Sequence, residues 1–334
     1  MFFSRTPFRI SLFGGGSDYP AWYEENGGRV LGMAIDKYCY ISIRELPPFF
    51  EFRHRIVHSK IELVNALDEI QHPAVRAVLE HFPPEMGLQI HHDGDLPARS
   101  GLGSSSSFVV GLINLVSNFY GTPRSKPDLA RNAIHLERDV MREHVGSQDQ
   151  VWAAFGGFNR LEFASGDEIS VQPMNIDAGR REELLGNLML FFSGYYRFAS
   201  EVAEKKIANL SMRHAQIERM MEMVDEAEQV MVSPSRPLSE IGHLLHDSWR
   251  LKRELADEVS TPALDQFMEA ARDAGALGGK VLGAGGGGFM LFYVEPEHRD
   301  SVRKRFDKLI EVDFDIDEQG STVFSGSSVS GVAN

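Results

Sequence analysis

Polar and apolar positions alternate from Arg9 to Phe13, just before three glycines, and a second run of the same kind extends from Arg29 to Ile43 through Val30-Leu31 and Tyr38-Cys39-Tyr40-Ile41-Ser42-Ile43. Period-two patterning of this sort predicts a β-rich opening layer. Gly87-Leu88-Gln89-Ile90-His91-His92 predicts another strand, which feeds a Pro/Gly/Ser turn at Pro97 to Ser107. The apolar run Phe108 to Val116 follows at once and predicts a buried helix. Ser125 caps a predicted helix from Lys126 or Pro127 to near Arg142, with an early proline and apolar Leu129, Ala133, Ile134 and Leu136. From Ser200 to Met231, Val202, Ile207, Leu210, Ile217, Met220, Met221, Val224 and Ala227 recur at helical period, which predicts one long helix. Met220, Met221, Met223 and Met231 read as core filler rather than ligands. Thr261-Pro262 opens a helix ending near Gly275, and Glu297 to Ile310 is the last predicted helix. The polar stretch Asp177 to Glu183 precedes a new apolar strand, Leu188 to Phe192. A domain boundary is therefore expected between Pro173 and Leu188, dividing residues 1–180 from 181–334. Gly320 to Asn334, rich in serine and glycine, is expected to be loosely held at its end.

Composition narrows the classes. The 334 residues are 43% hydrophobic, 10% aromatic and 25% charged, enough for one long domain or two of average size. With 48 acidic against 34 basic residues the formal charge is -14, a field that repels polyanions and argues against nucleic acid as a partner. A single cysteine, Cys39, excludes an internal disulfide and a multi-cysteine metal cluster and suits a reducing compartment. No apolar stretch approaches the roughly 18 to 20 residues that span a bilayer. Charge and Pro7 interrupt Met1 to Arg9 where a signal peptide would need a continuous apolar core. The expectation is a cytoplasmic chain without a membrane partner.

Chemistry concentrates in four segments. Pro97-Ala98-Arg99-Ser100-Gly101-Leu102-Gly103-Ser104-Ser105-Ser106-Ser107 combines glycines that allow close backbone approach with hydroxyls at a helix start. Unpaired N–H groups and the positive end of a helix dipole attract phosphate, and a serine hydroxyl can face a divalent metal bound to it. Plain helix capping is the alternative, though it needs only one serine; no Gly-Lys-Ser/Thr closes the loop, so it is not a Walker A motif. Lys280-Val281-Leu282-Gly283-Ala284-Gly285-Gly286-Gly287-Gly288-Phe289 is either a tight interdomain crossing or a backbone wall against the first loop or a substrate. Gly14-Gly15-Gly16-Ser17-Asp18-Tyr19, reached from Arg5-Thr6-Pro7-Phe8-Arg9, fits any turn when taken alone. Gly146-Ser147-Gln148-Asp149-Gln150 is either a helix start with an acid in its first turn or a catalytic loop.

Taken together, these segments resemble the GHMP kinase superfamily over essentially the whole chain. The first family motif looks like Arg5 to Tyr19, the second matches Pro97 to Ser105, and the third matches Lys280 to Phe289. Within the superfamily, Gly14 to Tyr19 followed by Ala34-Ile35-Asp36-Lys37-Tyr38 is most similar to bacterial D-glycero-D-manno-heptose 7-phosphate kinases. The resemblance implies an α+β chain, with an N-terminal ribosomal-protein-S5-like β-α-β domain and a C-terminal ferredoxin-like domain, nucleotide and sugar meeting between them. It implies ATP as donor and Mg²⁺ as cofactor. Carried over by position, Asp149 is the general base and Arg9 its basic partner; Pro97, Arg99, Ser100, Gly101, Leu102, Gly103, Ser104, Ser105 and Ser106 hold the ATP phosphates. Ser105 and Glu137 are the metal ligands. Gly15, Gly16, Ser17, Asp18, Tyr19, Gly285, Gly286 and Gly287 line the sugar site. Gly15 and Gly16 stand where galactokinases carry a Glu-His pair, which opens the pocket to a larger or differently charged sugar. A substrate phosphate would need local positive charge, with Arg197, Arg99 and Lys280 as candidates. The implied reaction is phosphorylation of an anomeric hydroxyl of heptose 7-phosphate, with kinases of free galactose or fucose, and a non-catalytic sensor, as the alternatives. A second copy of the chain, pairing through the 200s helix, is a candidate partner.

Overall fold

The computed structural model describes residues 1–195 and 199–326, apart from the side chains of 199–201. The strands are β1 (Phe2–Phe13), β2 (Gly28–Glu45), β3 (His54–Val57), β4 (Ile61–Val64), β5 (Leu88–Gly94), β6 (Phe158–Ala164), β7 (Glu168–Pro173), β8 (Leu188–Phe192), β9 (Gly278–Val281), β10 (Phe289–Tyr293), β11 (Ile310–Glu311) and β12 (Thr322–Ser325). The helices are α1 (Pro20–Asn26), α2 (Pro73–His81), α3 (Ser104–Phe119), α4 (Lys126–His135), α5 (Asp149–Phe155), α6 (Ala178–Gly186), α7 (Ala199–Asn209), α8 (His214–Val232), α9 (Ser239–Arg253), α10 (Pro262–Asp273) and α11 (Arg299–Arg305).

The architecture is α+β, built on two sheets. The larger has eight strands in the order β12-β1-β2-β5-β3-β4, with β6 on β2 and β7 on β6. Its long strand β2 forks: residues 28–33 pair with β6 and residues 39–45 with β5, both antiparallel. Only β3 and β5 run parallel among the described pairs. The smaller sheet is four antiparallel strands in the order β11-β8-β10-β9. Helix α3 is buried from Ser106 to Ser117, as its apolar run predicts, and packs on β1 and β2. That packing brings the turn preceding α3 beside Arg9 of β1, whose backbone N–H donates to Leu102 O at 3.0 Å.

Several helices depart from the sequence pattern. The run expected as one helix from Ser200 to Met231 is α7, a 3-10 turn at Leu210–Met212, and α8. Arg213 leaves helical geometry (φ -113°, ψ 28°), and the Asn209 amide donates to Leu255 O at 2.9 Å, fixing the break against the end of α9. The helix capped by Ser125, whose Oγ accepts from Asp128 N, is α-helical only to His135 and widens into a π turn at Leu136–Val140. The last predicted helix shrinks to α11, and Ile310 opens a strand instead. The expected loose end contains β12, which pairs antiparallel with β1 from Arg5↔Thr322 to Phe2↔Ser325. Met220, Met221, Met223 and Met231 are buried.

Candidate active site

Three glycine-bearing turns meet at the end of β1. Arg9 is buried there, and its guanidinium forks onto Asp149, the first residue of α5: Nε donates to Oδ1 and Nη2 to Oδ2, each at 2.7 Å. Its remaining Nη1 donates to Gly101 O at 2.7 Å, so one side chain ties the acid to the glycine-serine loop. A bidentate Arg–carboxylate pair is strong and directional. Asp149 keeps 23% of its side chain exposed, open to a ligand. Gly103 lies directly over this pair with φ +75°; a Cβ there would stand 3.3 Å from Asp149 Oδ2 and 3.2 Å from Arg9 Cγ. Glycine thus lets the loop backbone reach the acid.

The hydroxyls of the loop divide their work. No side chain caps α3. Ser104 Oγ accepts from Arg99 N at 3.3 Å, Ser106 Oγ donates to Glu137 Oε2 at 2.8 Å, and Ser107 Oγ donates to Pro7 O at 2.7 Å. Ser105 is exposed. Glu137, in the π turn, is fully buried; Oε2 also accepts from Gln150 Nε2 at 2.6 Å, while Oε1 has no hydrogen-bond partner among the described residues. Burial raises its pKa to about 7 against the favourable bonds from Ser106 and Gln150; the charge of Asp149 raises it further, and Ser105 contributes a smaller favourable interaction.

The second glycine loop backs the first. Gly283 and Gly288 pack on Gly101 and Ser100: a Cβ on Gly288 would fall 2.2 Å from Ser100 O, and one on Gly283 would fall 2.6 Å from Gly101 Cα. Phe289 N donates to Ser100 O at 2.9 Å. Gly285, Gly286 and Gly287 lie instead against Val259 and Tyr195, with Gly286 N donating to Val259 O at 2.8 Å. Two buried lysines brace the crossing. Lys252 Nζ donates to Val281 O and Gly283 O at 2.8 and 2.6 Å, and Lys280 Nζ donates to Leu12 O at 2.6 Å. Burial lowers the pKa of both, that of Lys280 to about 7.

In the third turn Asp18 is buried and accepts from Gly16 N at 2.9 Å. Burial raises its pKa, and the charge of Asp149 adds to the rise. A Cβ on Gly146 would sit 1.9 Å from Asp18 Oδ2, and Ser147 N donates to Asp18 O at 2.9 Å, so the turn at 14–19 and the segment before α5 interlock. Ser17 is buried in the turn itself, its Oγ bonded to Gly14 O and to both backbone groups of Arg29. A Cβ on Gly15 would make ordinary contact with Ser11 Oγ at 3.6 Å and Gln148 Nε2 at 3.9 Å. Arg197 lies outside the described residues.

Comparison with known proteins fits this geometry. Residues 68–157 match the GHMP kinases N terminal domain and residues 215–311 match the GHMP kinases C terminal. The chain is 30% identical over 315 residues to a D-glycero-alpha-D-manno-heptose 7-phosphate kinase of Campylobacter jejuni, covering 91% of this chain and 93% of that one. The chain belongs to the GHMP kinases. This GHMP kinase is a phosphotransferase acting on an alcohol group, with ATP the donor used across the family. It is also 25% identical to a Thermococcus kodakarensis galactokinase, over 91% of this chain and 92% of that one. A crystal structure of a D-glycero-D-manno-heptose 1-phosphate kinase from Bacteroides thetaiotaomicron shares the fold, with a TM-score of 0.79, 24% identity, and coverage of 97% and 99%.

An oxygen-only set, the unpartnered Glu137 Oε1 and the exposed Ser105 hydroxyl at the loop, fits a hard divalent cation of the kind GHMP kinases are expected to use. Lys252 and Lys206 of this GHMP kinase escaped the sequence analysis. Each is a charged residue in an inward slot of an apolar stripe, and that intrusion is the signal that reveals them. Among the described residues, no helix is long and apolar enough to cross a membrane.

Proposed function

We propose that this GHMP kinase transfers the terminal phosphoryl group of ATP to the anomeric hydroxyl of D-glycero-D-manno-heptose 7-phosphate. The product is the 1,7-bisphosphate, on a route to nucleotide-activated heptose for surface glycans. The observation that carries the reading is the Arg9–Asp149 fork lying under Gly103 of the loop. Asp149 orients the acceptor hydroxyl and takes its proton as the bond to phosphorus forms and the bond to the departing ADP oxygen breaks. Arg9 fixes the carboxylate in place and offers positive charge to the developing transition state. Backbone N–H groups of residues 101–106 at the start of α3 cradle the phosphates. Glu137 and Ser105 would hold Mg²⁺, which when bound neutralises phosphate charge; the rest of its shell would come from water and phosphate oxygens. Asp18 accepts hydrogen bonds from sugar hydroxyls. The nucleotide and the sugar phosphate are the only partners the proposal needs, and it places the reaction in the cytoplasm.

The acceptor assignment draws on the identity to the Campylobacter jejuni kinase and on glycine at positions 15 and 16. The galactokinase and fucokinase relatives support a second reading, a kinase for a free sugar such as galactose or L-fucose. Phosphorus NMR of the protein with MgATP and heptose 7-phosphate, galactose or L-fucose in parallel tubes decides between them. An anomeric-phosphate signal in the heptose tube alone is expected. A signal only with a free sugar would replace the acceptor, and silence in all three would overturn the reading.

A further inference from the structure

Helix α7 carries a cation where its pattern calls for an apolar side chain. Val202, Ala203 and Lys206 are buried in α7, and Leu210 is buried in the turn that follows, the spacing of a core-facing stripe. Ala203 and Leu210 join the cluster formed by Tyr19, Trp22, Ile217 and Leu255. Lys206 lies in the same stripe, only 3% exposed, with its Nζ 5.5 Å from the centroid of the Tyr19 ring. Among the described residues its ammonium has neither a hydrogen-bond acceptor nor a carboxylate within ion-pair distance. An ammonium on so buried a side chain loses much of its hydration, and the ring face recovers only part of it.

The other buried cations of the cleft are committed. Arg9 is taken by Asp149 and Gly101, Lys252 by Val281 and Gly283, and Lys280 by Leu12. Lys206 is near enough to both of those lysines and to Asp18 for their charges to interact. Burial favours the neutral form of Asp18 and lowers the pKa of Lys206 as well, and the charges of the two only partly offset this. Arg9 and three buried lysines, Lys206, Lys252 and Lys280, thus gather near Asp18, and burial lowers the pKa of all three lysines. A neutral hydroxyl would leave the ammonium uncompensated; a phosphate monoester supplies both charge and acceptor oxygens.

We propose that Lys206 is a specificity-determining residue, its ammonium binding the phosphate monoester that the acceptor sugar already carries. The assignment rests on the reading of the acceptor as a sugar phosphate, and it makes α7 the element that distinguishes such a sugar from a free one. The test is the ratio of kcat/KM for heptose 7-phosphate to that for unphosphorylated heptose, measured in the natural protein and in Lys206→Met, Lys206→Gln and Lys206→Arg. A charged hydrogen bond of ordinary strength predicts that the ratio falls about 10- to 100-fold in the Met and Gln variants, through KM for the sugar phosphate, with partial recovery in the Arg variant. An unchanged ratio in folded Met or Gln variants, while the natural protein keeps its preference, overturns the role of Lys206 and leaves the acceptor reading standing. An equal loss on both sugars also overturns it, because Lys206 then only packs the cleft. A natural protein that treats both sugars alike overturns the acceptor reading and this inference together. Should the Met variant fail to fold by circular dichroism, the Gln variant, which keeps a donor and similar length, decides by the same ratio.

Discussion

Glu137→Gln isolates the cost of a buried carboxyl group. The glutamine oxygen can still accept from Ser106 and Gln150, so the change removes charge and little else. In the folded protein burial lifts the carboxyl from 4.5 to about 7. At 1.36 kcal/mol per pH unit this displacement corresponds to about 3 kcal/mol. The unfolded chain ionises Glu137 near pH 4.5 while the folded chain holds the proton to about pH 7. Between those values the native state binds the extra proton, so its stability falls as pH rises and levels off above about 7. Glutamine has no such term. Thermal unfolding of the ligand-free proteins, without nucleotide or divalent cation, from pH 5 to 9 should therefore show the variant gaining on the natural protein up to pH 7. The gap should then hold constant, with a total on the order of 5 °C given roughly 2 °C per kcal/mol for a long chain. A difference in Tm that does not change with pH would refute the argument, because it would mean the carboxyl ionises alike in both states.

Other perturbations follow from contacts in the same cleft. Gly146→Ala should drive Asp18 from its place, since the new Cβ would fall 1.9 Å from Oδ2; kcat/KM should drop about 100-fold with about 1 to 3 kcal/mol of stability lost, and unchanged kinetics would show that this contact does not set Asp18. Gly288→Ala meets Ser100 O at 2.2 Å with φ +88°, so the two glycine loops should part; KM for ATP should rise about tenfold while KM for the sugar changes less, as expected for a displaced phosphate cradle, and an unaltered KM for ATP would separate the second loop from nucleotide binding.

The readable parts of the chain were those governed by local chemistry. Ser125 and Thr261 followed by proline announce helix starts, and both hydroxyls accept from the backbone N–H three residues on. The glycine-serine turn before an apolar run announces the loop at the start of α3, and Arg9 and Asp149, far apart in sequence, are brought together by motif order rather than by pattern. What local pattern did not convey was non-local. Nothing in Thr322–Ser325 indicates that it will pair with β1 across more than 300 residues, because a short strand's register is set by the edge it meets. The break at Arg213 is hidden for a different reason: the apolar stripe continues through it at the right period, while the contact of Asn209 with Leu255 beside the break is non-local. Lys206 and Lys252 are not legible from apolar recurrence, because each is a charged residue sitting in an apolar slot.

The central claim is that Asp149, held by Arg9 beneath the loop, is the proton acceptor in phosphoryl transfer. Asp149→Asn tests it most directly, by turnover of MgATP with heptose 7-phosphate alongside calorimetric binding of ATP. The account predicts kcat lowered about 10²- to 10⁴-fold, the range for a lost general base, with ATP affinity within about threefold because the phosphate cradle is backbone. A variant that keeps a near-natural kcat would contradict it and move the chemistry away from Asp149.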